Sequence, residues 1–98
     1  MISFRFRDFG EYLGTRQLGA KVREQLWPLL QGDVKVCLDF DGVEVVSNSF
    51  ADECIAKLLL SMSLEELKQH TTFSGLNDFA RKNIALALKR RMQALSVA

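Results

Sequence analysis

Residues 34–40 constrain the fold more than any other part of this 98-residue chain. Apolar side chains occupy every second position of the run. Cys37 lies between them, so the run is almost continuously apolar until Gly42 ends it. A short run of this kind predicts a strand at the centre of a sheet, covered on both faces. Residues 43–46 could extend this strand or form an extended loop.

The residues before this run predict one strand and one helix. Apolar Ile2, Phe4 and Phe6 alternate with polar side chains, which is typical of a strand with one buried face. Thr15 can then cap a helix whose apolar residues recur at every fourth position. We expect this helix to end near Pro28, because proline biases the residue before it against helical geometry.

The residues after the run predict two helices, a short helical connector and a strand. Ser49 begins the first helix, and Ser63 with Glu66 fits a capping box for the connector. Residues 71–73 favour a strand, and Asn77 can cap the last helix. The alternation predicts an α/β fold, a small mixed β-sheet with helices packed against it. A chain this short seldom supports two cores, so we expect a single domain over residues 1–98.

Composition excludes several classes of partner and site. The formal net charge of +1 gives no global attraction to nucleic acid or membrane, and no apolar run approaches the roughly 20 residues that cross a bilayer. Cys37, Cys54 and His70 lack the spacing of a metal site, so we expect reduced thiols and neither metal nor cofactor. The first residues lack the hydrophobic stretch of a secretory signal, which predicts a cytoplasmic protein.

The central run ends in a string that is similar to an enzyme motif. Asp39-Phe40-Asp41-Gly42 resembles the first motif of the haloacid dehalogenase superfamily. In those enzymes the first aspartate attacks phosphate, the second is an acid/base, and a magnesium ion lies between them. Such chemistry also needs a cation that binds the phosphate and further carboxylates that bind the metal. The downstream acidic residues do not form the late acidic pair of that superfamily. The sequence therefore favours a turn at Asp39 and Asp41, and we do not expect an enzyme. A magnesium-dependent phosphatase is the alternative.

One arginine near the start of the chain and one basic run near its end each have more than one interpretation. Arg16 could reach an acid such as Asp39 or Asp52, or remain solvated. A basic run near the chain end can offset the exposed carbonyls of a helix C-terminus, and it consists of Lys89, Arg90 and Arg91. The alternatives for this run are an anionic protein partner and weak nucleic-acid binding. The chain lacks the longer basic stripe or stacking aromatics typical of nucleic-acid binding.

The helix from Ser49 combines a wide apolar face with a polar side that holds Asp52 and Glu53. Ser49 is placed to cap it, with its hydroxyl accepting from the Asp52 amide, an interaction worth about 1 kcal/mol. Phe50 either enters the core or anchors a partner. Its phase with the apolar face favours the core.

Three short segments together carry a resemblance to a known domain family. They are Gly14-Thr15-Arg16, Asp39-Phe40-x-Gly42-Val43 and Ser49-Phe50-Ala51-Asp52-Glu53. Over nearly the whole chain, the sequence resembles the STAS-like domain family of unknown function. That family is related to the STAS domains of sulfate transporters and of anti-sigma-factor antagonists.

The classical antagonists carry an Asp-Ser-Ser-Gly motif in the corresponding strand, loop and helix. An ATPase-type anti-sigma kinase phosphorylates its second serine, which switches binding off. Laid on this sequence, the motif keeps that serine as Ser49. Ser47, Asn48 and Phe50 replace its aspartate, first serine and glycine.

The resemblance implies a non-enzymatic regulatory module that binds a protein partner, in a bacterium. A histidine-kinase-like ATPase or an anti-sigma factor is the implied partner, and Ser49 is the candidate phosphoacceptor. The implied contact surface consists of Ser47, Asn48, Ser49, Asp52 and Glu53. The sequence neither supports nor excludes a homodimer formed through exposed apolar surface.

Overall fold

The computed structural model describes residues 1–97, in which helices and strands alternate along the chain. The strands are β1 (Ile2–Arg5), β2 (Tyr12–Leu13), β3 (Val36–Asp39), β4 (Val45–Val46) and β5 (Thr71–Ser74). The helices are α1 (Arg16–Leu30), α2 (Asn48–Cys54), α3 (Leu64–His70) and α4 (Asp78–Val97). Short 3₁₀ helices lie at Phe6–Phe9 and Ala56–Leu60. The predicted α/β class is confirmed.

The described strands form two parallel sheets. In the larger one β3 lies between β1 and β5, with Leu38 beside Phe4 on one side and Phe73 on the other. In the smaller one β2 pairs with β4, and Tyr12 lies opposite Val45. Residues 43–46, left open by the sequence, thus contain a strand of a second sheet.

The central position of β3 is confirmed, but its predicted coverage on both faces is wrong. Val36 and Leu38 are fully buried, whereas Cys37 and Asp39, which alternate with them along the strand, are only half-buried. On the same side Ser3 of β1 is exposed. Cys37 made the run appear apolar on both faces, because free cysteine usually packs as a small hydrophobe. Here its Sγ lies 3.3 Å from the Ser74 hydroxyl oxygen.

Aromatic side chains join the larger sheet to α2. The rings of Phe6 and Phe40 stack with centroids 4.0 Å apart, and the Phe50 ring meets Phe6 edge-on at 6.4 Å. All three side chains are fully buried. Packed aromatic pairs contribute beyond their buried area, so Phe50 is part of the core, as its phase predicted.

The predicted caps of α1, α3 and α4 are confirmed. The Thr15 side chain accepts from the amide of Leu18 at 3.1 Å, and Asn77 Oδ1 accepts from the amide of Ala80 at 2.8 Å. Ser63 begins α3 with a complete capping box. These caps depend on residues three positions apart, which is why the sequence reveals them.

α1 ends at Leu30, two residues after Pro28, so it ends near the proline as predicted, with Pro28 itself inside the last turn. Pro28 removes the donor that would bond the carbonyl of Glu24. Glu24 is an exposed residue of α1, so the missing bond lies on the solvent side of the helix. Burial of Leu26 and Leu30 on the same face then favours keeping the last turn helical.

No helix within residues 1–97 combines the length and the apolar character needed to cross a membrane.

Candidate functional site

The loop before α2 is held in place by Ser47. Its hydroxyl accepts from the amide of Phe50 at 3.0 Å and donates to the carbonyl of Gly14 at 2.9 Å. Its own amide donates to the carbonyl of Leu13 at 2.9 Å, which continues the pairing of β2 with β4. The N-cap is therefore Ser47, and the predicted cap at Ser49 is wrong. Ser49 lies in the first turn of α2, and its hydroxyl is free of the capping role.

A cleft of about 440 Å³ opens between α2, α4 and the start of α1. We call it the arginine cleft. Its lining contains three guanidinium groups and one carboxylate, so its charge is positive. The lining side chains are Arg16, Asn48, Ser49, Asp52, Ala87, Arg90, Arg91 and Ala94.

Asp52 forms the base of the charge arrangement in the arginine cleft. Arg91 of α4 donates hydrogen bonds to both of its oxygens, from Nε to Oδ1 at 2.7 Å and from Nη2 to Oδ2 at 2.8 Å. Arg16 of α1 donates to Oδ2 at 2.8 Å. Hydrogen bonds from Arg91, and then from Arg16, lower the pKa of Asp52 from 3.8 to about 2. One carboxylate thereby joins three helices.

Glu53, next along α2, is buried rather than presented to solvent. It is 7% exposed, and its Oε2 accepts from Arg23 at 2.9 Å and from Lys57 at 3.0 Å. Arg23 also donates to the Glu53 carbonyl. The hydrogen bond from Arg23 is the largest cause that lowers the pKa of Glu53. Glu53, which the sequence placed on the polar side of the helix and in the implied contact surface, is instead buried, where it pairs with Arg23 and Lys57.

The basic run on α4 is divided between different surroundings. The helix runs on to Val97 and has no basic residue in its last turn, so the predicted role at the helix C-terminus is wrong. Arg91 binds Asp52, and exposed Arg90 lines the arginine cleft. Lys89 lines a separate groove beside α3.

A family model described as a STAS-like domain of unknown function (DUF4325) matches residues 19–79. The chain belongs to this family. The match spans β3, β4, α2, α3 and β5 completely, with most of α1 and the first residues of α4. No curated protein and no solved structure matches the chain.

In this STAS-like domain the family match covers only one wall of the arginine cleft. Asn48, Ser49 and Asp52 lie inside the matched residues, whereas Arg16 and the arginines of α4 lie outside them. The positive side of the cleft thus comes from the flanking parts of the chain.

Of the five predicted surface residues, the structure brings Asn48, Ser49 and Asp52 together at the cleft. Asn48 is exposed and Ser49 half-buried. Ser47 caps α2, and Glu53 forms ion pairs with Arg23 and Lys57. Three charged cleft residues were absent from the predicted surface, namely Arg16, Arg90 and Arg91. The sequence signals for them were the basic run and the possible contact of Arg16 with Asp39 or Asp52, of which the structure shows the contact with Asp52.

The Asp39–Asp41 string forms a turn, as the sequence favoured. The Asp41 amide donates to Asp39 Oδ1 at 2.9 Å, an aspartate turn within the chain. Gly75 follows β5 with φ +71°, and a Cβ there would lie 2.5 Å from the Asp41 amide nitrogen. Within residues 1–97, no group of three or more metal-ligating side chains is found. The geometry of this turn gives the two aspartates a structural role at the end of β3.

Proposed function

We propose that this STAS-like domain is a regulatory protein–protein interaction module that receives its partner at the arginine cleft. The observation that carries the proposal is the composition of the cleft. Three guanidinium groups and one carboxylate line it, together with Ser49, whose hydroxyl does not cap the helix. The open contact groups are Asn48, Ser49 and Arg90. Asp52 sets the positions of the other two arginines. Such charged surfaces favour complementary partners and fast association.

The partner that fits this proposal is a histidine-kinase-like ATPase or an anti-sigma factor. Support comes from the resemblance to anti-sigma-factor antagonists, whose regulatory serine lies in the same strand–loop–helix as Ser49. The net positive cleft adds a chemical expectation, namely that the partner inserts an acidic side chain. The proposal places the protein in the cytoplasm, where a thiol such as Cys54 stays reduced.

Ser49 also fits the role of phosphoacceptor in this proposal. A phosphoserine adds roughly −1.5 to −2 charge at neutral pH and three strong acceptor oxygens. Placed at Ser49, it would lie in the cleft that Arg16, Arg90 and Arg91 line. The phosphate would compete with Asp52 for its arginines and change the charge that a partner meets.

The test is binding to a histidine-kinase-like ATPase from the same genome, measured by titration calorimetry and native mass spectrometry. Arg90→Glu should weaken binding by about tenfold or more, because a charge reversal acts directly on the open cation. Arg81→Glu is the matched control, since Arg81 is an exposed arginine of α4 outside the cleft. Ser49→Asp should weaken binding as phosphorylation would.

Equal effects of Arg90→Glu and Arg81→Glu would contradict the placement of the contact at the cleft. Failure of every such ATPase to bind the unaltered protein would contradict the partner class.

A further inference from the structure

A second surface lies on the opposite flank of α4, between that helix and the start of α3. Two adjoining depressions of about 320 and 510 Å³ share the side chains of Leu64 and Met92. We call them together the α3–α4 groove. Its apolar lining includes Met62, Leu64, Leu88, Met92 and Leu95. None of these residues lines the arginine cleft.

Packing within the described chain explains only part of the apolar lining, because Met62, Leu64 and Leu88 pack against the core whereas Met92 and Leu95 remain exposed. The buried side chains of α4 are Ala80, Ile84 and Ala87, all in its first half. In the second half Met92 is 43% exposed and Leu95 is 45% exposed. Exposed apolar residues that form one contiguous patch, unlike scattered ones, mark interaction sites.

The spacing of these side chains fits an elongated occupant. Leu88, Met92 and Leu95 follow one another at intervals of four and three residues, so they form one stripe along α4. Leu64 of α3 lies across the groove from this stripe. An amphipathic helix placed in such a groove would present apolar residues at the same intervals. Methionines at its wall, such as Met92, adapt their shape to an incoming helix.

The charges that line the groove indicate which net charge an occupant should carry. Lys68 of α3 and Lys89 of α4 both line it, and no acidic side chain of residues 1–97 does so. The neighbouring Glu66 is held in the capping box of Ser63. Acidic residues on the occupant would therefore meet unopposed cations on both walls.

The same charges disfavour a second copy of this chain. In a two-fold symmetric dimer the same patch meets itself. Lys68 and Lys89 of both copies would then be brought into one interface, and like charges at an interface are costly.

We propose that the α3–α4 groove binds an acidic amphipathic helix of another protein. This surface is separate from the arginine cleft, and the proposal does not depend on the function proposed for that cleft.

The experiment uses two 18-residue helical peptides that differ only in charge. Both carry leucines at helical spacing, flanked in one by glutamates and in the other by lysines. Binding to the ¹⁵N-labelled protein is followed by NMR and by fluorescence polarisation. The glutamate peptide should bind at least about tenfold more tightly and should shift the amides of α3 and of the second half of α4.

Variants locate the contact. Met92→Glu should abolish binding, whereas Phe79→Glu should not, because Phe79 is 57% exposed on the same helix but lies outside the groove. The pair Lys68→Glu and Lys89→Glu should reverse the preference toward the lysine peptide. Arg90→Glu in the arginine cleft should leave peptide binding unchanged, which separates this result from the test of the proposed function. Circular dichroism checks that each variant is folded.

Equal affinity for the two peptides would overturn the proposal, as would no binding of either. Equal losses from Met92→Glu and Phe79→Glu would overturn it too. Self-association that Met92→Glu removes, without peptide binding, would assign the groove to a second copy instead.

Discussion

Asp52 shows how a single residue can organise the charges of a surface. Its carboxylate accepts three hydrogen bonds from Arg16 and Arg91, while its side chain keeps 20% of its surface exposed. Exposed ion pairs contribute little to stability, but a bidentate pair with restricted solvent contributes more. Asp52 therefore has two effects. It stabilises the contact of α2 with α1 and α4, and it positions the arginines of the cleft.

The lowered pKa of Asp52 predicts a pH dependence of stability. A carboxylate whose pKa is lower in the folded protein stabilises it fully above the unfolded value of 3.8, and this stabilisation is lost as pH falls toward about 2. Asp52→Asn should therefore lower the free energy of unfolding by about 1 kcal/mol at pH 7, with solvent screening taken into account. The difference from the unaltered protein should shrink between pH 4 and pH 2.

The measurement is urea denaturation at several pH values. The matched control is Asp33→Asn, because Asp33 lies exposed in the turn after α1. A difference for Asp52→Asn that stayed constant down to pH 2 would show that the arginines do not stabilise its charge.

At the scale of an element, the start of α2 depends on the short sheet beside it. The pairing of β2 with β4 places the Leu13 carbonyl where it accepts the Ser47 amide. Ser47 is thereby held in extended geometry, with φ −72° and ψ 162°, from which its hydroxyl can cap the helix. This explains why the helix begins at Asn48 although Ser49 is an equally good capping residue by type.

The cap assignment predicts different costs for two neighbouring serines. Ser47→Ala removes both the cap and the bond to the Gly14 carbonyl, so it should lower the free energy of unfolding by about 1–2 kcal/mol. Ser49→Ala should change it by less than about 0.5 kcal/mol. Thermal and urea unfolding of the two variants provide the comparison. A larger loss of unfolding free energy for Ser49→Ala than for Ser47→Ala would indicate that Ser49 caps the helix, as the sequence predicted.

At the scale of the whole molecule, α1, α2 and α4 meet around the same charged residues. The close approach of α1 to α2 depends on Gly19, which lies inside α1. A Cβ at this position would lie 3.0 Å from Glu53 Cβ and 3.2 Å from the Phe50 carbonyl oxygen. The same contact brings Arg23 of α1 to Glu53, so helix packing and charge neutralisation depend on each other.

Gly19→Ala should therefore destabilise the protein against the trend of helix propensity. Alanine favours a helix by about 1 kcal/mol relative to glycine, but overpacking at a close contact costs about 1–3 kcal/mol. We expect a net loss in the free energy of unfolding, measured in urea. Gly14→Ala is the control, because nothing lies within 4 Å of a Cβ at that exposed position. A stabilised Gly19→Ala variant would mean that the two helices separate easily.

The sequence by itself determined the features that depend on neighbouring residues. The order of the main helices and strands, the caps at Thr15, Ser63 and Asn77, and the turn at Asp39 were all predictable. Each of them follows from side chains a few positions apart. The inward direction of Phe50 followed in the same way from the period of its helix.

Only the tertiary structure decided which charges meet. Asp52 is 39 residues from Arg91 and 36 from Arg16, and no local pattern connects positions so far apart. The burial of Glu53, the cap at Ser47 and the open face of the larger sheet likewise depend on elements distant in sequence. The physical reason is that the free energy of burying or pairing a charge is set by the neighbours that packing supplies.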